Sequence, residues 1–235
     1  MAEEAARRVY EGASDEARAV LPRNVGESWI ELYHHLLKLR ERLTFDQLVG
    51  RSVEYRGGDE AAVQGKRNDG WPQRSQAICG NIMRAGKHWV TFTSPSSFKV
   101  YQTVGVIRPL PGWQKRGLDE FSPLLSEHHA DFLRERTDRW EGIVHYCRLS
   151  IRIGHFLWSD WMGGVKKSNW EGRADYERDC STIGMLLDLD EGKLSVYSNG
   201  RRSGTLKDGL AGEYCWIAGF WGEGDVSIQR GYELG

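Results

Sequence analysis

The sequence predicts a mainly β fold of antiparallel strands, with a helical extension ahead of it and one helical insert within it. Three observations carry this expectation. Between Gly184 and Gly200, Met185, Leu187 and Leu189 alternate with Leu186 and Asp188, and a period of two belongs to a strand rather than a helix. That stretch closes on Asn199-Gly200, a pair that tolerates the positive φ of a type I′ hairpin turn. Helical spacing of three and four is confined to residues 1–48 and to a segment at about 113–140.

In the leading segment, Ala5, Ala6, Val9 and Tyr10 form a short amphipathic stripe that ends near Gly12. Ser14-Asp15-Glu16 reads as the cap and first turn of a second helix, which Pro22 closes. Ser28 and Glu31 form a capping box for a third, along which Trp29, Leu32, Tyr33, Leu36 and Leu37 repeat at helical spacing. A stripe of this kind is expected to pack against the neighbouring domain, here residues 49–235.

From Thr44 to Val63 the pattern shortens into strands, with Val49, Val53 and Tyr55 ahead of a Gly57-Gly58-Asp59 turn. The polar loop that follows holds Asn68-Asp69-Gly70 and Trp71, which either stands at the loop tip or folds back beneath it. Ala77 to Ile107 reads as a hairpin entering the same sheet system, with turns at Ala85-Gly86-Lys87 and Ser94-Pro95-Ser96.

Pro109, Pro111 and Gly112 then interrupt the strands. Ser122-Pro123 supplies an N-cap with proline in the first turn, and Leu124, Leu125, His128, Phe132 and Leu133 predict a helix of about four turns ending near Arg139. Ile143 to Gly172 is again β-like and rich in aromatics, with Trp158 and Trp161 ahead of a Gly163-Gly164 break. The central hairpin follows, its first turn closed by Gly192 and its second strand carrying Leu194 and Val196 on one face. The chain ends in an aromatic strand at 214–221, a turn at Gly222–Asp225 and a last strand at 226–228.

The 235 residues suffice for a sizeable core, either as one sandwich with attachments or as two small domains. A formal charge of −1 without a long run of one sign argues against nucleic acid or an anionic membrane as the main partner. Ten tryptophans, most of them beyond residue 70, supply area for either a core or a binding surface. No apolar run approaches the ~20 residues of a membrane span. The charged, alanine-rich first thirty residues are not signal-like, so a soluble intracellular protein, cytoplasmic or nuclear, is expected. Cys79, Cys147, Cys180 and Cys215 are widely separated and are expected to be reduced and mostly buried.

Residue patterns for catalysis or metal binding are missing. His34-His35 and His128-His129 point about 100° apart on a helix, so neither pair binds one metal as a unit, and no His-Glu-x-x-His spacing occurs. Asp188, Asp190 and Glu191 lack the glycine and glutamate spacing of a calcium loop. His145 and Cys147 would share a face of a strand, which raises a nucleophile pair, although a buried cysteine is the commoner outcome. With no nucleophile elbow, phosphate loop or dinucleotide fingerprint, neither an enzyme nor a cofactor is expected.

Several segments resemble one family. GKHWVTF at 86–92 is similar to the early strand of SPRY (B30.2-like) domains, and Val104-Gly105-Val106 to the Val-Gly-Val that follows it. IGMLLDLDEGKLSVYSNG at 183–200 resembles the most diagnostic SPRY segment, while residues 205–214 and FWGEGDVSIQR resemble the last strands. The likeness spans roughly 49–235 and loosens between 109 and 182. It implies a bent antiparallel β-sandwich whose loops recognise a peptide or loop of a partner protein, without catalytic residues. In members attached to SOCS boxes, a tryptophan in an aromatic-Gly or Val-Trp-Gly segment near the last strand lines the peptide pocket. Trp221, within Gly219-Phe220-Trp221-Gly222, is the matching position. Trp158, Trp161 and Trp71 join the candidates on aromatic character and loop placement. ESWIELYHHL at 27–36 resembles the closing helix of F-box motifs, which implies a ubiquitin-ligase adaptor as a second partner and a substrate-receptor role; the sequence is short of the earlier helical stretch that an F-box needs, and a packed extension is the reading it favours. The alternative function is a sandwich whose tryptophan-rich loops bind a carbohydrate or small ligand.

Overall fold

The computed structural model describes residues 1–66, 73–174, 176 and 180–231. Its strands are β1 (Phe45–Val49), β2 (Val53–Arg56), β3 (Asp59–Gly65), β4 (Arg74–Cys79), β5 (Lys87–Thr93), β6 (Thr103–Ile107) and β7 (Tyr146–Ser150). They continue as β8 (His155–Ser159), β9 (Val165–Ser168), β10 (Thr182–Asp188), β11 (Lys193–Ser198), β12 (Arg201–Lys207), β13 (Cys215–Trp221) and β14 (Gly224–Arg230). Among the described residues these form two seven-stranded sheets, ordered β1-β4-β13-β6-β7-β8-β9 and β12-β11-β10-β5-β14-β3-β2. Every pairing is antiparallel, and the inner faces enclose one large core, so the chain is a β-sandwich.

The central hairpin forms as its sequence pattern requires. Met185 and Leu187 of β10 pair with Val196 and Leu194 of β11, and all four are fully buried. Burial of each such side chain contributes about 2 kcal/mol. Gly192, Asn199 and Gly200 take φ of +66°, +44° and +88° at the two turns. The acidic side chains tie the first turn together: Asp188 Oδ1 accepts from the Glu191 amide at 3.1 Å, and Asp190 Oδ1 from the Gly86 amide at 2.9 Å.

Two expectations are corrected. Residues 77–107 are not one hairpin, because β4 and β6 lie in the first sheet whereas β5 lies between β10 and β14 in the second. The insert is not a four-turn helix either: it holds α4 (His129–Arg134) and single 3₁₀ turns at Trp113–Arg116 and Ser126–His128. Tertiary bonding breaks the longer helix. The Pro123 carbonyl accepts from the Trp161 indole N–H at 3.0 Å, and Leu125 is extended at φ −77°, ψ 121°. The apolar positions are buried all the same. Phe121 and Phe132 join Trp113, Trp140 and Trp161 in a second core laid on the outer face of the first sheet, against Ile78, Ile107, Tyr146 and Ile217.

Helices α1 (Ala2–Glu11), α2 (Asp15–Val20) and α3 (Trp29–Arg40) make up the extension. The Ser14 and Ser28 hydroxyls cap α2 and α3 by accepting from the Ala17 and Glu31 amides. Tyr10, Leu21, Leu32 and Leu36 bury one another between the helices. A buried ionic network then fastens the extension to the sandwich. Arg84 forms ion pairs with Glu27 at 2.7 Å and with Glu213 at 2.8 Å, and Arg139 lies 3.0 Å from Glu31. The Arg84 and Glu27 side chains are 2 % and 0 % exposed. No helix among the described residues is long and apolar enough to cross a membrane.

Candidate functional site

Alternation along each strand decides which side chains reach the outer face of the first sheet. In β13, Trp216, Ala218 and Phe220 point into the sandwich, which puts Cys215, Ile217, Gly219 and Trp221 outward. The same parity sends Arg74 and Gln76 outward from β4, Thr103 and Gly105 from β6, and Arg148 and Ser150 from β7. Register then assembles rows across the sheet. Ile78, Ile217, Gly105 and Arg148 make one, while Gln76, Gly219, Thr103 and Ser150 make the next. The insert covers the apolar rows. Beyond them the outward residues turn polar and line a cavity of about 210 Å³ that the insert does not cover.

Trp221 stands at its rim, where β13 ends and the chain turns into the other sheet. It is 38 % exposed, its ring centroid lies 4.8 Å from that of Tyr101, and the Arg74 guanidinium carbon lies 5.0 Å from the same ring. Tyr101 is 54 % exposed, and Val100 and Ile153 complete an open apolar rim. The buried Gln102 holds the Tyr101 loop in place. Its Nε2 donates to the Asp225 carbonyl at 2.9 Å and its Oε1 accepts from the Lys99 amide, joining this loop to the start of β14.

Gly219 shapes the floor. A Cβ there would stand 2.4 Å from Thr103 Oγ1 and 2.5 Å from Gln76 Oε1, so only glycine lets both side chains close over the strand. Gln76 is 1 % exposed, and its Oε1 has no hydrogen-bond partner among the described residues. Away from the cavity floor, Tyr146 of β7 is buried in the core under the insert, two residues from Arg148 on the same face. Burial pushes the phenol up to about 12, against the opposing pull of the Arg148 charge.

The residues singled out in the sequence are thus divided. Trp221 lies on the cavity, Gly219 sits between its lining residues Gln76 and Thr103, and Phe220 reaches it from the sandwich core, where it is buried. Trp161 does not stand on a recognition loop: it is 2 % exposed beneath the insert. Trp158 belongs to β8, half-buried against the main core with Lys166 Nζ and Lys207 Nζ 4.5 and 5.0 Å from its ring. Trp71 lies outside the described residues. His145 and Cys147 are separated, the imidazole packing on Trp140 and Trp161 and the thiol lying in the sandwich core. Burial pushes that thiol up to about 12 and the imidazole down to about 4. Glu27, Glu31 and His35 bring their polar atoms within 4.8 Å of one another, but both glutamates are already held by Arg84 and Arg139.

Sequence reasoning missed Arg74, Gln76, Tyr101 and Arg148. Their signal was present as polar residues alternating with buried ones, as in Arg74-Ser75-Gln76-Ala77 and Arg148-Leu149-Ser150. That alternation marks every half-exposed strand, so by itself it does not single out a site.

No family model matches the chain, and no curated protein matches it in sequence. Among solved structures, the SPRY domain of human HERC1 is similar with a TM-score of 0.50 at 11 % identity, over 81 % of this chain and 99 % of that one. The TRIM65 PSpry domain gives 0.49 at 17 % identity, over 82 % and 93 %. Stonustoxin gives 0.46 at 12 %, over 80 % of this chain and 27 % of its own. The fold is SPRY-like.

Proposed function

We propose that this SPRY-like sandwich is a non-catalytic interaction module that holds a peptide or loop of a partner protein against the outer face of its first sheet, around Trp221. One observation carries the reading. Where the insert ends, Val100, Tyr101, Ile153 and Trp221 remain open around a cavity with a polar floor. Large aromatics at the rim of a concave site, with hydrogen-bonding groups beneath, are the usual composition of a binding hot spot.

Selection of a displayed random-peptide library on the wild-type protein and on Trp221→Ala tests it. Peptides enriched on the wild type are expected to lose ~2 kcal/mol or more on the variant, about thirtyfold in affinity. Equal enrichment on a folded variant removes the site. A glycan array covers the sugar-binding alternative, since selective glycan capture abolished by Trp221→Ala would replace peptide with carbohydrate.

A role as substrate receptor of a ubiquitin ligase is supported only by the F-box-like sequence at 27–36. The surface such an adaptor would use is the apolar groove between α1 and α3, lined by Ala5, Val9, Ile30 and Tyr33. Co-purification with the adaptor, abolished by Val9→Asp with Ile30→Asp, is the outcome this role requires.

A further inference from the structure

We infer that the segment held at the Trp221 cavity is acidic, an Asp or Glu within about five residues of a large apolar side chain; the inference rests on the peptide-binding reading above. The lining carries two arginines and no carboxylate among the described residues. Arg74 is already shared between the Trp221 ring and Glu120, whose Oε1 lies 2.9 Å from its Nη1. Arg148 has no such partner. It rises from β7 between Gly105 and Leu157, half-buried, and among the described residues it has no ion pair to a carboxylate and its buried Nε has no hydrogen bond. Arg148 lines the cavity itself.

A half-buried guanidinium on the cavity lining, without an ion pair to any described carboxylate, is placed to take a bound carboxylate through two parallel N–H···O bonds. The unpartnered Gln76 Oε1 accepts a backbone N–H of the same segment. Register sets the spacing between the two anchors. Arg148 and Trp221 are two strands and four residues apart on one face, about 17 Å from backbone to backbone. An extended chain covers that in about five residues.

The test is selection of displayed random twelve-residue peptides on the wild type, Arg148→Gln, Arg148→Glu, Arg148→Lys and Trp221→Ala, each shown folded by its unfolding midpoint. Wild-type binders are expected to carry Asp or Glu within five positions of a large apolar residue and to weaken tenfold or more when that acid becomes its amide. Arg148→Gln should bind the acid and amide forms alike, Arg148→Lys should keep the preference, and Arg148→Glu should select Lys or Arg. Binders that need Trp221 but show no acidic enrichment, or an Arg148→Gln variant that still prefers the acid, overturn this inference and leave the peptide-binding reading standing. A wild type that enriches nothing over Trp221→Ala overturns both.

Discussion

The Arg74 guanidinium carbon lies 5.0 Å from the centroid of the Trp221 ring while its Nη1 is 2.9 Å from Glu120 Oε1. Glu120 therefore steadies a cation against the indole, and Tyr101 meets the same ring at 4.8 Å. The tryptophan is thus held in place, which would lower the ordering cost of the proposed binding.

Loss of that cation should weaken binding without unfolding the protein. An exposed cation–π contact contributes about 0.5–1 kcal/mol, so Arg74→Ala is expected to raise the Kd of a selected peptide about two- to fivefold. Calorimetric titration measures it, and an unchanged Kd would show that the contact does not prepare the site.

Gly219→Ala should act more strongly. The added methyl would meet Thr103 Oγ1 and Gln76 Oε1 at about 2.5 Å and push both side chains into the cavity. Peptide affinity is expected to fall at least tenfold, with the sandwich still folded by circular dichroism. Retention of full affinity would rule out the floor as a contact surface.

The buried network predicts a stability effect far from the cavity. Arg84→Met leaves the buried Glu27 without its ion pair and Glu213 with only Arg139, 3.9 Å away, which costs about 3–5 kcal/mol. Urea unfolding followed by circular dichroism checks this, and a loss under about 1 kcal/mol would mean that water already screens the pair.

Acid should destabilise the fold through its histidines. Burial holds His35, His88 and His145 down to about 4, below the ordinary 6.5. Between those values the unfolded chain binds more protons than the native one, so stability falls as pH drops from about 6.5 to 4 and is fully present above. His145 adds a specific reason, because its Nδ1 accepts from Arg108 Nε at 3.4 Å and protonation would set two cations face to face. His145→Asn is expected to flatten part of the acid limb in urea titrations from pH 4 to 7. An unaltered slope excludes His145 as a contributor.

The cysteines should be slow to react. All four are buried, and burial raises Cys79 to about 11, Cys147 to about 12 and Cys215 above its ordinary value. A thiol probe at neutral pH is expected to label the native protein no faster than it unfolds. Rapid labelling of Cys147 would revive a nucleophilic role.

What the sequence determined alone is the structure that depends on neighbours along the chain. Asn199-Gly200 and Gly192 set their turns through their own backbone freedom, Ser14 and Ser28 cap helices three residues away, and alternation puts Phe220 and Trp221 on opposite faces. The family resemblance added the sandwich and drew notice to Trp221. Only the tertiary structure decided the rest, because it depends on contacts between distant residues. Trp161 has the composition of a recognition aromatic, yet its indole is bonded to Pro123 and buried beneath the insert. Trp221 lies beyond the insert and is 38 % exposed, and Arg74, Tyr101 and Arg148 join it on one cavity through strands paired across the sheet and a loop tied down by Gln102. Periodicity states which residues share a face; what covers that face is settled by packing between segments a hundred residues apart.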